Sequence, residues 1–189
     1  MVWKVSVSRE KGNQHRVWLE EGLKVLATEG PGALSIDNLT MRTGKTKGSF
    51  YHHYAGREQF IQRLLEYYEE TATHDIILNA NREDIPQARL KMLTSLSFRL
   101  SGDVELAIRA WALYEPLVRA FQDRIDGRRM EFLKDIYLDL GADEKTSWVL
   151  AYRNYALFIG LQQVKPRHNK REFKELLKRI FTDMNRELT

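Results

Sequence analysis

Between Ser35 and Arg57 the chain reads SIDNLTMRTGKTKGSFYHHYAGR, and this stretch gathers side chains fit for one kind of chemistry. Lys45, Lys47 and Arg57 are cations on long stems. Thr46, Ser49 and Tyr51 carry hydroxyls, and His52 and His53 offer ring nitrogens. Such groups suit phosphate oxygens and the exposed edges of base pairs. A short helix bearing them is built to lie in a duplex groove rather than to support catalysis.

Two helices meeting at a tight turn would position these groups. Ser35 is a fitting N-cap for a helix over 36–43, with Asn38 third after the cap and Ile36 and Leu39 turned inward. Gly44 permits the turn, and Thr46 caps a second helix over 47–53. This is the grammar of a helix-turn-helix, followed at once by another helix from Arg57. The start of the second helix is a natural seat for a phosphate, with Lys45 and Lys47 beside it. Gly48 leaves room for the duplex or for a neighbouring helix, and Ser49 is short enough to let the helix sit deep. Tyr51 suits a phosphate contact through its hydroxyl. Tyr51, His52 and His53 fall on successive faces, so not all reach the duplex. Phe50 and Tyr54, four apart, are expected to pack inward, and Arg57 to hold a phosphate.

Charge placement agrees. The net charge is +4 over 189 residues. Residues 1–57 carry nine Lys or Arg against five Asp or Glu, whereas residues 58–189 carry 21 of each, so the whole excess sits with the reading segment. Apolar residues make up 43% of the chain, enough for a core. The absence of cysteine excludes disulfides, thiolate metal sites and cysteine nucleophiles. No apolar run nears the roughly 18 residues that cross a bilayer, and the first residues lack a secretory core. A soluble, cytoplasmic protein is expected.

Most of the chain has helical spacing. Residues 1–13 read as a polar, basic arm without periodicity. A first helix over about 14–29 places Leu19, Leu23 and Leu26 on one face, with Trp18, Gly22 and Val25 alongside, and Gly30-Pro31-Gly32 ends it. A helix over 57–78 carries Phe60, Leu64 and Tyr68 on one face. Further helices run from near Pro86 to about Ser101, from a cap at Asp103, from Pro116 to Gly141, and from Asp143 to about Val164. A last one, 170–187, repeats Phe173, Leu177, Ile180 and Met184. The expected fold is all-α: a three-helix helix-turn-helix domain (1–56, with the arm) joined through helix 57–78 to a helical domain (57–189).

At these residues the chain resembles the tetracycline-repressor (TetR) family of bacterial regulators. The resemblance rests on Thr46-Lys47-Gly48-Ser49-Phe50-Tyr51-His52-His53-Tyr54, on Gly56-Arg57-Glu58, and on Leu34 to Leu39 with the Gly44 turn. It is strong over residues 14–70 and weak beyond. Two departures are Lys45, where a small apolar residue is usual, and Met41-Arg42-Thr43, in place of an alanine-rich helix end. The resemblance implies that positions 35, 46, 47, 49, 51, 52, 53 and 57 touch DNA. It also implies a second domain that dimerises through its last two helices and holds a small-molecule pocket.

The carboxy-terminal part is rich in aromatic residues. Trp111, Tyr114, Phe121, Tyr152 and Tyr155 are expected to line an apolar pocket, with core packing or a dimer face as their other use. Arg109, Glu115 and Arg153 are candidates to orient a polar ligand group. The apolar faces of 143–164 and 170–187 exceed what one small monomer needs, so two chains can form a four-helix bundle. A two-fold dimer would then offer two reading helices to a palindromic site.

No Gly-rich phosphate loop, HExxH or GxSxG is present, so an enzyme is not expected. No cofactor is expected either. Adjacent helical residues point about 100° apart, which argues against a metal at His52-His53, and His15, His74 and His168 read as isolated surface residues. The combined expectation is a ligand-responsive, sequence-specific DNA-binding regulator. A repressor released from its operator by a small apolar or aromatic ligand is the simplest form. An activator of the same fold, or a helical module without DNA binding, are the alternatives.

Overall fold

The computed structural model describes residues 6–100 and 102–164, together with residues 172, 175, 176, 179 and 180. Every regular element among them is helical. Helix α1 spans Ser6–Glu29. A 3₁₀ turn, Pro31–Ala33, leads into α2, Ile36–Thr43, and α3, Lys47–His53. Helix α4, Arg57–Glu69, passes through a π-helical turn, Glu70–His74, into α5, Asp75–Ala80. Then come α6, Pro86–Ser97, α7, Gly102–Ala112, α8, Pro116–Asp139, and α9, Glu144–Gln163.

The described residues pack as two compact units: those within 1–76 and 97–125, and those within 77–96 and 126–189. In the first, Trp18, Leu26, Phe50, Tyr54, Phe60, Leu64 and Ile108 are fully or almost fully buried. The expected inward faces of α1 and α4 meet here, and Gly22 allows it. A Cβ on Gly22 would stand 2.7 Å from Phe60 Cζ and 3.0 Å from Leu64 Cδ1, so the two helices approach as closely as they do only because the side chain is absent. The buried Glu105 carboxylate is paired in this unit. Tyr68 donates to the Glu105 carboxylate, and Arg109 lies 2.8 Å from the same carboxylate. In the second unit Leu90, Leu133, Ile136, Tyr137, Leu150 and Tyr155 form the core. Burial there pushes the Tyr137 hydroxyl up to about 12, so it stays protonated, and Asn154 donates to its oxygen.

Four elements differ from the sequence reading. Helix α1 starts at Ser6 rather than near residue 14. No proline interrupts residues 6–29, so the backbone can stay helical back to Ser6. The helix expected over 57–78 runs through to Ala80, but its winding loosens into a π turn at Glu70–His74, where Ala72 and Thr73, neighbours in sequence, are both buried. The helix from Pro86 ends at Ser97, and Asp103 lies inside the first turn of α7 rather than capping it. Asp143 does cap α9, accepting from the Thr146 amide at 3.0 Å. The expected helix 170–187, with Phe173, Leu177 and Met184, and His168 lie outside the described residues. No helix among the described residues is long and apolar enough to cross a membrane.

Candidate nucleic-acid interface

The turn between α2 and α3 is fixed by local chemistry. Ser35 Oγ accepts from the Asn38 amide at 3.1 Å and Thr46 Oγ1 from the Ser49 amide at 3.1 Å, so both caps satisfy amides that the helices cannot. Gly44 ends α2 at φ 66°, in the left-handed region where a Cβ is strained. Phe50 and Tyr54 are buried, as their spacing predicts, and both rings pack on Phe60, with centroids 5.5 and 5.0 Å away. Trp18 of α1 meets Phe50 edge-on at 5.4 Å. Helix α3 is therefore pinned to α1 and α4 through one aromatic cluster, and its remaining faces are free to turn outward.

The outward face of α3 presents Lys47, Gly48, Tyr51 and His52 to solvent, with Ser49 and His53 half-buried at its margins. Lys45 and Ser35 are half-buried and Thr46 is exposed. Tyr51 is 55% exposed, resting edge-on against Phe50 at 5.8 Å. Among the described residues, a Cβ on Gly48 would meet nothing closer than Thr46 Oγ1 at 3.7 Å, an ordinary contact. The fold thus does not require a glycine at 48. Of the two readings of that residue, room for a neighbouring helix falls away and room for an external body stays.

Two of the expected DNA-facing cations already have partners. Lys47 Nζ lies 2.5 Å from the exposed Asp37 carboxylate on α2, and this hydrogen bond holds the ammonium above its ordinary range. Arg57 does not point to solvent with its whole fork. Its Nε donates to the Leu34 carbonyl at 2.8 Å and its Nη2 to the Pro31 carbonyl at 3.1 Å. The same loop is held by Asn38 Nδ2, which donates to Ala33 O at 3.0 Å, and α2 is tied to the end of α1 by the Arg42–Glu29 ion pair. Arg42, noted above as a departure from the family pattern, thereby acts as a clasp.

His15 is not an isolated surface residue. Its Nδ1 lies 2.7 Å from Tyr54 Oη, and its ring sits 5.9 Å from that of His53, which is 5.1 Å from His52. Burial, then His53, then Arg63 lower the pKa of His15. Burial, then His52, then Lys45 lower that of His53. Burial also raises the Tyr54 hydroxyl, so it is a standing donor, to His15 Nδ1 or to the His15 carbonyl at 3.3 Å. A contact 39 residues apart leaves no trace in local spacing. Only the inward position of Tyr54, whose hydroxyl needed a partner, hinted at it. His15 thus joins His52 and His53 in one cluster of rings. Among the described residues Glu70, His74 and Asp75, all exposed, are the group whose ligand atoms lie close together, and His74 pairs with Glu70 at 3.2 Å.

The five aromatic residues expected in one pocket do not come together. Trp111 and Phe121 belong to the core of the first unit, where Arg124 lies over the Phe121 ring at 4.3 Å. Tyr114 is 85% exposed at the turn after α7. Tyr155 is buried in the second unit, donating to Asp126 at 2.7 Å. Tyr152 is 58% exposed on α9, in a shallow, open depression with Glu144, Lys145, Trp148 and Val149. Aromatic richness here reflects two cores and two outer surfaces.

Residues 19–64, the segment holding this geometry, match the sequence model of "Bacterial regulatory proteins, tetR family". No curated protein matches the chain in sequence. Among solved structures the fold is similar to that of a Saccharomonospora viridis protein assigned as a transcriptional regulator, crystallised with choline (TM-score 0.65, 16% identity, 80% of this chain and 84% of the other). It is similar to a protein assigned as a TetR/AcrR-family regulator (TM-score 0.66, 19% identity, 79% and 85%). It is also similar to a Clostridium perfringens protein assigned as a regulator of fatty acid metabolism (TM-score 0.62, 18% identity, 78% and 84%).

Proposed function

From the chain's membership of the TetR/AcrR family, carried by its amino-terminal domain, we infer a homodimeric transcriptional repressor that a small molecule releases from a palindromic operator. The observation that carries DNA reading is the outward face of α3. Lys47, Gly48, Tyr51 and His52 lie in the open above a buried Phe50 and Tyr54, and no contact among the described residues accounts for Gly48. Ser35, Lys45, Thr46, Lys47, Ser49, Tyr51, His52 and His53 are the proposed contacts, Lys47 exchanging Asp37 for a phosphate. Residues 1–56 take the reading role and 57–189 the sensing and dimerising role, a division by task that need not follow the packing units.

Dimerisation is supported by α9. Val149, Tyr152, Ala156 and Gly160, at three- and four-residue spacing, are all exposed, which gives an apolar stripe with small residues where a second helix can approach. For the effector, either Trp111 and Phe121 in the first unit or Tyr155 in the second are the candidate contacts, because each lies in or against the core of its own unit. Tyr114 and Tyr152 are too exposed to enclose a ligand. That one structural neighbour holds choline supports an effector of small-molecule size here. Repression needs only occupancy of the operator, and the cytoplasm is where a chromosome is reached.

Selection of bound sequences from a random duplex pool tests the reading directly. Recovery of a two-fold-symmetric site, bound at least a hundredfold more tightly than its scrambled form, is expected. Equal binding to both refutes it.

A further inference from the structure

We infer that Arg57 is a positioning residue for DNA reading: a clamp from the start of α4 that sets the loop before α2, and through it the pose of α3, rather than a phosphate ligand. The inference rests on the DNA-binding reading above.

The geometry is specific. Two nitrogens of one planar fork, Nε and Nη2, reach two carbonyls three residues apart, Leu34 O and Pro31 O, which lie 23 and 26 residues upstream. Both carbonyls belong to the loop that ends at Ser35, the cap of α2. Leu34 is fully buried, so its carbonyl is held in place by its own packing. The Pro31 carbonyl also closes the 3₁₀ turn, accepting the Leu34 amide at 3.3 Å. Arg57 therefore grips a loop that is already shaped, and the grip transmits position rather than creating structure.

What it transmits follows from the other contacts. Helix α3 is joined to α4 by the link 54–56, where Gln59 Oε1 accepts the Ala55 amide at 2.6 Å, and by rings, Phe50 and Tyr54 on Phe60. These contacts hold the end of α3 and leave its start, at Thr46, to α2 and the Gly44 turn. The two directional hydrogen bonds from Arg57 tie α4 to the loop before α2 as well. A shift of α4 along its axis would drag the loop, then Ser35, then α2, and α3 behind the Gly44 turn. The residue is thus placed to couple the position of α4 to the aim of the reading helix.

Lysine and glutamine variants separate this role from a phosphate contact. Lysine keeps the charge but cannot reproduce the fork, and glutamine loses the charge. Affinity of the full-length chain is measured for the selected operator and for its scrambled form over a range of salt, with thermal melts alongside. We expect both Arg57→Lys and Arg57→Gln to lose roughly tenfold in operator-over-scrambled preference. The slope of log affinity against log salt should stay that of the unmodified chain. The inference is overturned if Arg57→Lys behaves as the parent while Arg57→Gln weakens both duplexes alike and flattens the slope by about 0.9, the signature of one lost phosphate contact. It is also overturned if neither variant changes preference. An unmodified chain that shows no operator preference instead removes the DNA-binding reading itself, a failure visible before any variant is made.

Discussion

Two helices show their outer faces to solvent in opposite ways. On α3 the exposed positions are Lys47, Gly48, Tyr51 and His52, polar or without a side chain except for the Tyr51 ring. On α9, beyond its first turn, they are Val149, Tyr152, Ala156, Gly160 and Gln163. Both helices are capped by a side-chain oxygen, Thr46 and Asp143, and both bury a full inner face. What differs is what the outer face can satisfy. The first presents donors and a cation and suits a hydrated, anionic partner. The second presents apolar surface and suits another apolar helix. Exposure by itself is uninformative; its chemistry assigns the partner.

The comparison breaks first at its shared premise, that the inner faces hold the outer ones in place. Phe50→Ala removes the ring shared by Trp18, Tyr54 and Phe60 and should cost about 3–5 kcal/mol of stability. Chemical denaturation followed by circular dichroism checks it, and operator binding should disappear while the dimer stays. Next in size, Val149→Glu places an unpaired charge on the proposed dimer face. The dimer should dissociate roughly a hundredfold more readily, read by light scattering across concentration. The isolated subunit should keep its melting behaviour and its weak, non-specific DNA binding. If Val149→Glu leaves a dimer intact at low micromolar protein, the stripe on α9 is not the interface. Smaller again, Thr46→Ala removes the cap of α3 and should cost about 1 kcal/mol. Because the lost acceptor faces the Ser49 amide, the cost should appear in amide exchange at the start of α3 and leave α9 unchanged.

These local features are the ones that were legible in the sequence. A cap needs an oxygen three residues before its amide, a turn needs a glycine, and an inner face needs apolar residues at helical spacing. Ser35, Thr46, Gly44, Phe50 and Tyr54 all obey rules that act within a few residues. Arg57, His15 and Gly22 do not. Whether Arg57 meets a phosphate or a carbonyl depends on a loop more than twenty residues away. His15 became part of a cluster only because Tyr54 brings its hydroxyl to it, and Gly22 matters only because Phe60 arrives opposite. The aromatic residues beyond Trp111 were illegible for another reason. The same ring serves a core, a pocket or an interface, and spacing along one helix does not say which.

The smallest expected effect is the one that separates the two surfaces most cleanly, because the cluster of His15, His53 and His52 stands beside α3 and α9 contains no histidine. Folding lowers the pKa of both His15 and His53 below their usual value near 6.5. The unfolded chain therefore binds protons more readily. Stability from these two groups is whole above about pH 6.5 and declines as pH falls through that value toward the lowered ones, below which the loss stops growing. DNA works in the opposite sense. Phosphates close to His53 favour its charged form, so affinity rises as pH falls through the same window. Melting and duplex titrations at fixed ionic strength between pH 5.5 and 8 should thus move in opposite directions, while dimer dissociation across α9 stays level. Replacing His15 with Asn and His53 with Gln together should flatten both trends. A dimer constant that tracks the DNA curve would show that the two faces are not chemically separate after all.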